Sequence, residues 1–84
     1  MTPRALTADE WTVLEAIAAR GPLTRAGVLA LRVAAHDAVV LALKEAGLVR
    51  TQAIRHSVTR QWSTWHDVTA AGQALLNGRA RRSA

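Results

Sequence analysis

The sequence contains no cysteine. That absence excludes a disulfide framework, thiolate zinc sites, iron–sulfur ligation and thiol catalysis together, and leaves packing as the source of stability. Also missing is any apolar run near the roughly 20 residues that span a bilayer. Met1-Thr2-Pro3-Arg4 holds no signal-peptide apolar core, so a soluble, cytoplasmic, nucleoid-associated protein without a membrane partner is expected. No Gly-rich phosphate loop and no His-x-x-x-His pair occurs, and His36, His56 and His66 are scattered. Asp9, Glu10, Glu15, Asp37, Glu45 and Asp67 form no paired-carboxylate or nucleophile–base pattern. Neither a metal, a cofactor nor enzymatic activity is expected.

What the chain does have is 84 residues, half of them apolar. A fold of this size buries only about 60% of its unfolded surface, enough for one compact core and no more. The formal charge is +5 and the isoelectric point about 11.6. That balance favours a polyanionic partner, because Lys and Arg that neutralise phosphates release condensed counterions. Ten of the eleven basic residues are Arg and Ala is abundant, a bias that a GC-rich genome explains as well as recognition does.

The clearest local signal is Thr7-Ala8-Asp9-Glu10, in which Thr7 can accept from the Glu10 amide while Glu10 reaches back, with Leu6 and Trp11 placed as a hydrophobic staple. Trp11, Leu14, Ile17 and Ala18 recur at helical spacing until Gly21-Pro22, which predicts a first helix over residues 8–20. Thr24 is a fair N-cap for a second, short helix running through Val28, Leu29 and Leu31 to about Arg32. A tight connection around Val33-Ala34-Ala35 follows. A third helix over about residues 35–46 carries His36, Val39, Val40 and Leu43 on one stripe and ends where Gly47 can take a left-handed cap; its N-cap is poorly marked.

Beyond Gly47 the pattern changes to β-branched and aromatic residues over 48–55 and 61–68, which read as two antiparallel strands joined by a loop at 56–60 without a strong turn signal. Thr69 caps a last short helix from Ala70 to about Leu76, ended by Asn77-Gly78, and residues 79–84 read as a basic, mobile tail. No repeat or linker interrupts this order, so residues 1–78 form one α+β domain.

Leu23-Thr24, Leu43-Lys44-Glu45-Ala46-Gly47-Leu48-Val49 and Val68-Thr69-Ala70-Ala71-Gly72-Gln73-Ala74-Leu75-Leu76 stand in the order and spacing of the core elements of MarR-type winged-helix transcription regulators, with Leu6-Thr7 before the first helix. The chain resembles that family over about residues 5–77. The resemblance implies a winged helix-turn-helix of three helices, a two-stranded hairpin wing and a short C-terminal helix, with helix three in the major groove of double-stranded DNA and the hairpin on its backbone, and it implies a homodimer reading a pseudo-palindrome. Two departures point to a reduced core domain. The acid-Arg-Arg segment usual in the wing is replaced by Thr59-Arg60-Gln61-Trp62, and 84 residues leave no room for the family's extra dimerisation helices.

Base readout needs donors and acceptors on the outer face of helix three. With Val39, Val40 and Leu43 turned inward, the contacts fall to Ala35, Asp37, Ala38, Leu41 and Lys44, a face poor in Arg. Such a face makes shape and thymine-methyl contacts, or else it is a surface for self-association or for a protein partner, in which case the domain is an adaptor. The hairpin is better equipped: Arg50, Gln52, Arg55, His56, Ser57, Thr59 and Arg60 can straddle a phosphate backbone or send an Arg into the minor groove, and Arg25 and Arg32 flank helix two. Trp11, Trp62 and Trp65 offer stacking platforms for single strands, but a core role is the better reading; Trp62 and Trp65 fall on opposite faces of one strand, so alternation leaves at most one of them exposed.

Overall fold

The computed structural model describes residues 5–83, the last two by their backbone alone. Residues 1–4, where the absence of a signal peptide was read, lie outside the described residues, as do Ala84 and the side chain of Arg82 in the tail.

Helix α1 (Ala8–Arg20) starts on the expected capping box. Thr7 Oγ1 accepts from the Glu10 amide at 3.2 Å, and the Thr7 amide donates to Glu10 Oε1 at 3.1 Å. The cap places Val13, Leu14 and Ile17 on the buried side, and Leu6 and Trp11 both pack against the core. After Gly21-Pro22 comes a strand that period-based reading missed, β1 (Leu23–Thr24). Two residues carry no periodicity of their own; β1 exists because β3 pairs with it, Leu23 opposite His66 and Thr24 opposite Trp65.

Thr24 then caps α2 (Arg25–Leu29) by accepting from the Gly27 amide at 3.3 Å. This helix is shorter than expected. Past Leu29 the bonding tightens to i→i+3 (Leu31 to Val28, Arg32 to Leu29), and Arg32 turns left-handed at φ 56°, which a continuing helix forbids. Helix α3 (His36–Glu45) begins on Ala35, itself left-handed at φ 52° and without a side-chain cap. Gly47 at φ 76° makes the exit turn.

Strands β2 (Val49–Arg55) and β3 (Trp62–Val68) form an antiparallel ladder from Val49 opposite Val68 at the base to Arg55 opposite Trp62 at the far end. The sheet order is β1-β3-β2. Helix α4 runs over Ala70–Ser83 and does not stop at Asn77-Gly78. A glycine inside a helix costs only about 1 kcal/mol, and three contacts hold the distal half in place. Gln73 donates to Asn77 at 3.0 Å, Arg79 pairs with Glu15 of α1, and Arg79 Cζ lies 4.3 Å from the Trp11 ring centroid. Arg79, read as part of a mobile tail, is thus folded back onto α1.

Together the described residues form a small α+β domain of four helices on a three-stranded antiparallel sheet. Val13, Leu14, Ile17, Val28, Val40, Leu43 and Val49 make its core. Each fully buried Leu or Ile stabilises it by about 1.5–3 kcal/mol. Two of the segments that carry the family resemblance meet in space. Thr69 Oγ1 donates to the Gly47 carbonyl at 2.6 Å and accepts from the Gly72 amide at 3.1 Å, while the Thr69 amide donates to the Leu48 carbonyl at 3.0 Å.

Candidate nucleic-acid interface

The tight α2–α3 connection sets α3 beside the sheet, leaving an open groove of about 420 Å³ between them, lined by Arg25, Asp37, Leu41, Lys44, Thr64 and His66. All five α3 positions read as contacts, Ala35, Asp37, Ala38, Leu41 and Lys44, are exposed. Asp37, Leu41 and Lys44 turn into the groove, whereas Ala35 forms the strained entry to the helix.

Arg25 does not stand free at the start of α2. Its Nε and Nη2 donate to Asp37 Oδ1 and Oδ2 at 3.3 and 3.2 Å, a forked pair across the two helices. The shared hydrogen bonds raise the Arg25 pKa and hold the Asp37 carboxyl below its ordinary value. At the α2 N-terminus the Thr24 hydroxyl takes the Gly27 amide. Arg32 is exposed in the connection between the helices, without an ion-pair partner among the described residues.

His66 and Thr64 belong to the groove although sequence reading did not single them out. Counting back by twos from Val68 puts 66, 64 and 62 on one face, which was the available signal. His66 Nδ1 lies 3.1 Å from Thr51 Oγ1. Burial, with nearby Lys44 adding to it, lowers the His66 pKa, and Asp37 opposes the shift. On the α3 side, His36 Nε2 is buried without a hydrogen bond, 3.3 Å from Asp37 Oδ1.

All seven hairpin residues expected at an interface are exposed, but they are not equivalent. Alternation puts Arg50 and Gln52 on the face away from α3, because their partners Asp67 and Trp65 are out of step with His66 and Thr64. Arg50 is moreover paired with Asp67 at 3.4 Å. His56 and Thr59 build the loop: His56 Nδ1 accepts from the Val58 and Thr59 amides, both at 3.4 Å, and Thr59 Oγ1 accepts from the Gln61 amide at 3.3 Å. Arg60 takes the left-handed position, φ 59°, that a glycine would ordinarily fill. Arg55, Ser57 and Arg60 are left facing solvent at the distal end, and neither Arg has an ion-pair partner among the described residues.

Known protein families, curated proteins and solved structures yield no match to this chain. Among the described residues no three His, Asp or Glu side chains come together as metal ligands, and no helix is long and apolar enough to cross a membrane.

Of the three tryptophans, Trp11 and Trp65 are half-buried, whereas Trp62 is 67% exposed. The core reading thus fails for Trp62, because the hairpin extends past everything that could cover that face: beyond Val49, β2 has no buried residue.

Proposed function

We propose that this chain is a winged helix-turn-helix domain that binds double-stranded DNA as a transcription regulator, with α3 in the major groove and the β2–β3 hairpin as the wing on the flanking backbone. The observation that carries this reading is the charge of the hairpin. Residues 51–66 contain no Asp or Glu, and Arg55 and Arg60 stand at its exposed end with no carboxylate holding them among the described residues. Unpaired guanidiniums on a projecting ribbon beside a helix-turn-helix are placed for phosphates. The helix contributes differently: Ala38 and Leu41 suit thymine methyls and shape, and Lys44 supplies the positive charge on that face.

Binding of the full chain to duplex DNA across a salt series tests the proposal. Replacing Arg55 and Arg60 together by Ala weakens binding to all sequences and flattens the slope of log K against log salt by about two units, close to one per lost phosphate contact. An unchanged slope removes the wing from the account, and absence of duplex binding removes the function.

One observation favours a second reading, an adaptor that docks a protein through α3: Leu41 is 53% exposed and Leu29 43%. Leu41→Glu separates the two. It abolishes capture of a protein partner by an adaptor, whereas in the DNA reading it leaves the wing-dependent salt slope in place.

A further inference from the structure

The far end of the hairpin carries three large apolar side chains in the open: Ile54, 47% exposed, Val58, 82%, and Trp62, 67%. They do not form one flat patch. Trp62 shares its face with Thr64 and His66, which line the groove beside α3, while Ile54, opposite Ser63, points the other way and Val58 sits in the loop. A partner lying against the sheet would cover one face only. Trp62 is the largest of the three, and it stands on the side that faces α3.

The charge around the tip selects the medium. Arg55 is directly opposite Trp62 in the ladder, Arg60 precedes it by two positions, and the stretch is free of acids. A second copy of the chain would bring two cationic hairpins together. Duplex DNA instead offers phosphates for the guanidiniums with an apolar base stack behind them. We propose that Trp62 inserts its indole at a base step from the minor groove, with Arg55 and Arg60 on the adjoining phosphates. This rests on the DNA-binding reading above, in which α3 in the major groove brings the α3-facing side of the hairpin onto the neighbouring minor groove. Apolar wedges of this kind partly unstack the step and kink the duplex toward the major groove.

The test uses the full chain as wild type, Trp62→Phe and Trp62→Ala, titrated with poly(dA-dT) duplex, with oligo(dT) and with vesicles of phosphatidylserine and phosphatidylcholine. Trp62 lies outside the core, so both variants retain the thermal transition of the wild type. Trp62→Ala weakens duplex binding about tenfold and Trp62→Phe less, as loss of base–aromatic contact requires. The salt slope stays constant because no phosphate contact is removed. The acrylamide quenching that distinguishes wild type from Trp62→Phe disappears on saturation with duplex.

Duplex binding by Trp62→Ala with wild-type affinity, or quenching of Trp62 unaltered by duplex, overturns the wedge and leaves the DNA reading intact. No duplex binding by any variant overturns both. Tighter, Trp62-dependent binding to oligo(dT) replaces the wedge by single-strand stacking, and a blue shift of Trp62 on vesicles but not on duplex reassigns the tip to a membrane surface.

Discussion

Arg25 and Asp37 form a forked, two-bond pair between the first residue of α2 and the second residue of α3, at 3.3 and 3.2 Å. Both side chains are about two-thirds exposed. In such a setting the pair adds little stability, but it decides what charge the groove presents. Asp37 neutralises the guanidinium best placed at the mouth between the helices. Asp37→Asn is therefore expected to tighten duplex binding and steepen its salt dependence by up to about one unit as Arg25 becomes available to a phosphate. Fluorescence anisotropy over a salt series measures both, and weaker binding would show that Asp37 itself touches the DNA.

A methyl placed on Gly72 would stand 2.4 Å from the Leu48 carbonyl oxygen and 2.7 Å from Val68 Cγ2. The first of these neighbours is backbone and already accepts from the Thr69 amide, so it cannot step aside without breaking the junction of α4 with the turn after α3. Gly72→Ala is expected to destabilise the fold by about 1–3 kcal/mol, the range for overpacking a closed site. Urea unfolding followed by circular dichroism gives the value; a loss below about 0.5 kcal/mol, the scale of an ordinary surface substitution, would mean that α4 shifts freely.

Ala35 enters α3 in a left-handed conformation that costs an L-residue about 1–2 kcal/mol. Glycine relieves the strain and loses part of the gain to its greater freedom when unfolded. Ala35→Gly should raise stability by about 0.5–1 kcal/mol, read as an upward shift in the thermal midpoint. A downward shift would place Ala35 in the ordinary helical region.

The lowered pKa of His66, caused first by burial and then by Lys44, gives stability a pH dependence of definite sign. A histidine that is harder to protonate when folded contributes fully above its unfolded value of about 6.5 and loses that contribution as pH falls below it. Between about pH 7 and about pH 5 the urea midpoint is expected to fall, with part of the slope absent in His66→Gln. Identical slopes in the two proteins would remove His66 as the source.

Elements marked by local chemistry were legible in the sequence. The Thr7–Glu10 box, the Gly21 stop, the Gly47 turn and the Thr69 cap are contacts within a few residues, and α1 begins and ends where they put it. The candidate site was legible in part. That 55 and 60 present Arg to solvent follows from position alone, but which hairpin residues face α3 needed the register, and Arg50 and Gln52 turn out to lie on the far side.

The basic hairpin, the caps and the apolar stripes are local, because charge, capping and periodicity are properties of neighbouring residues. The rest arose from contacts made across the fold. β1 exists through its pairing with β3, α4 continues past Gly78 with Arg79 held by Glu15 and Trp11 at its far half, Arg25 is taken by Asp37, and Trp62 is left uncovered. Each of these depends on what residues distant in the chain bring, or fail to bring, to the same place.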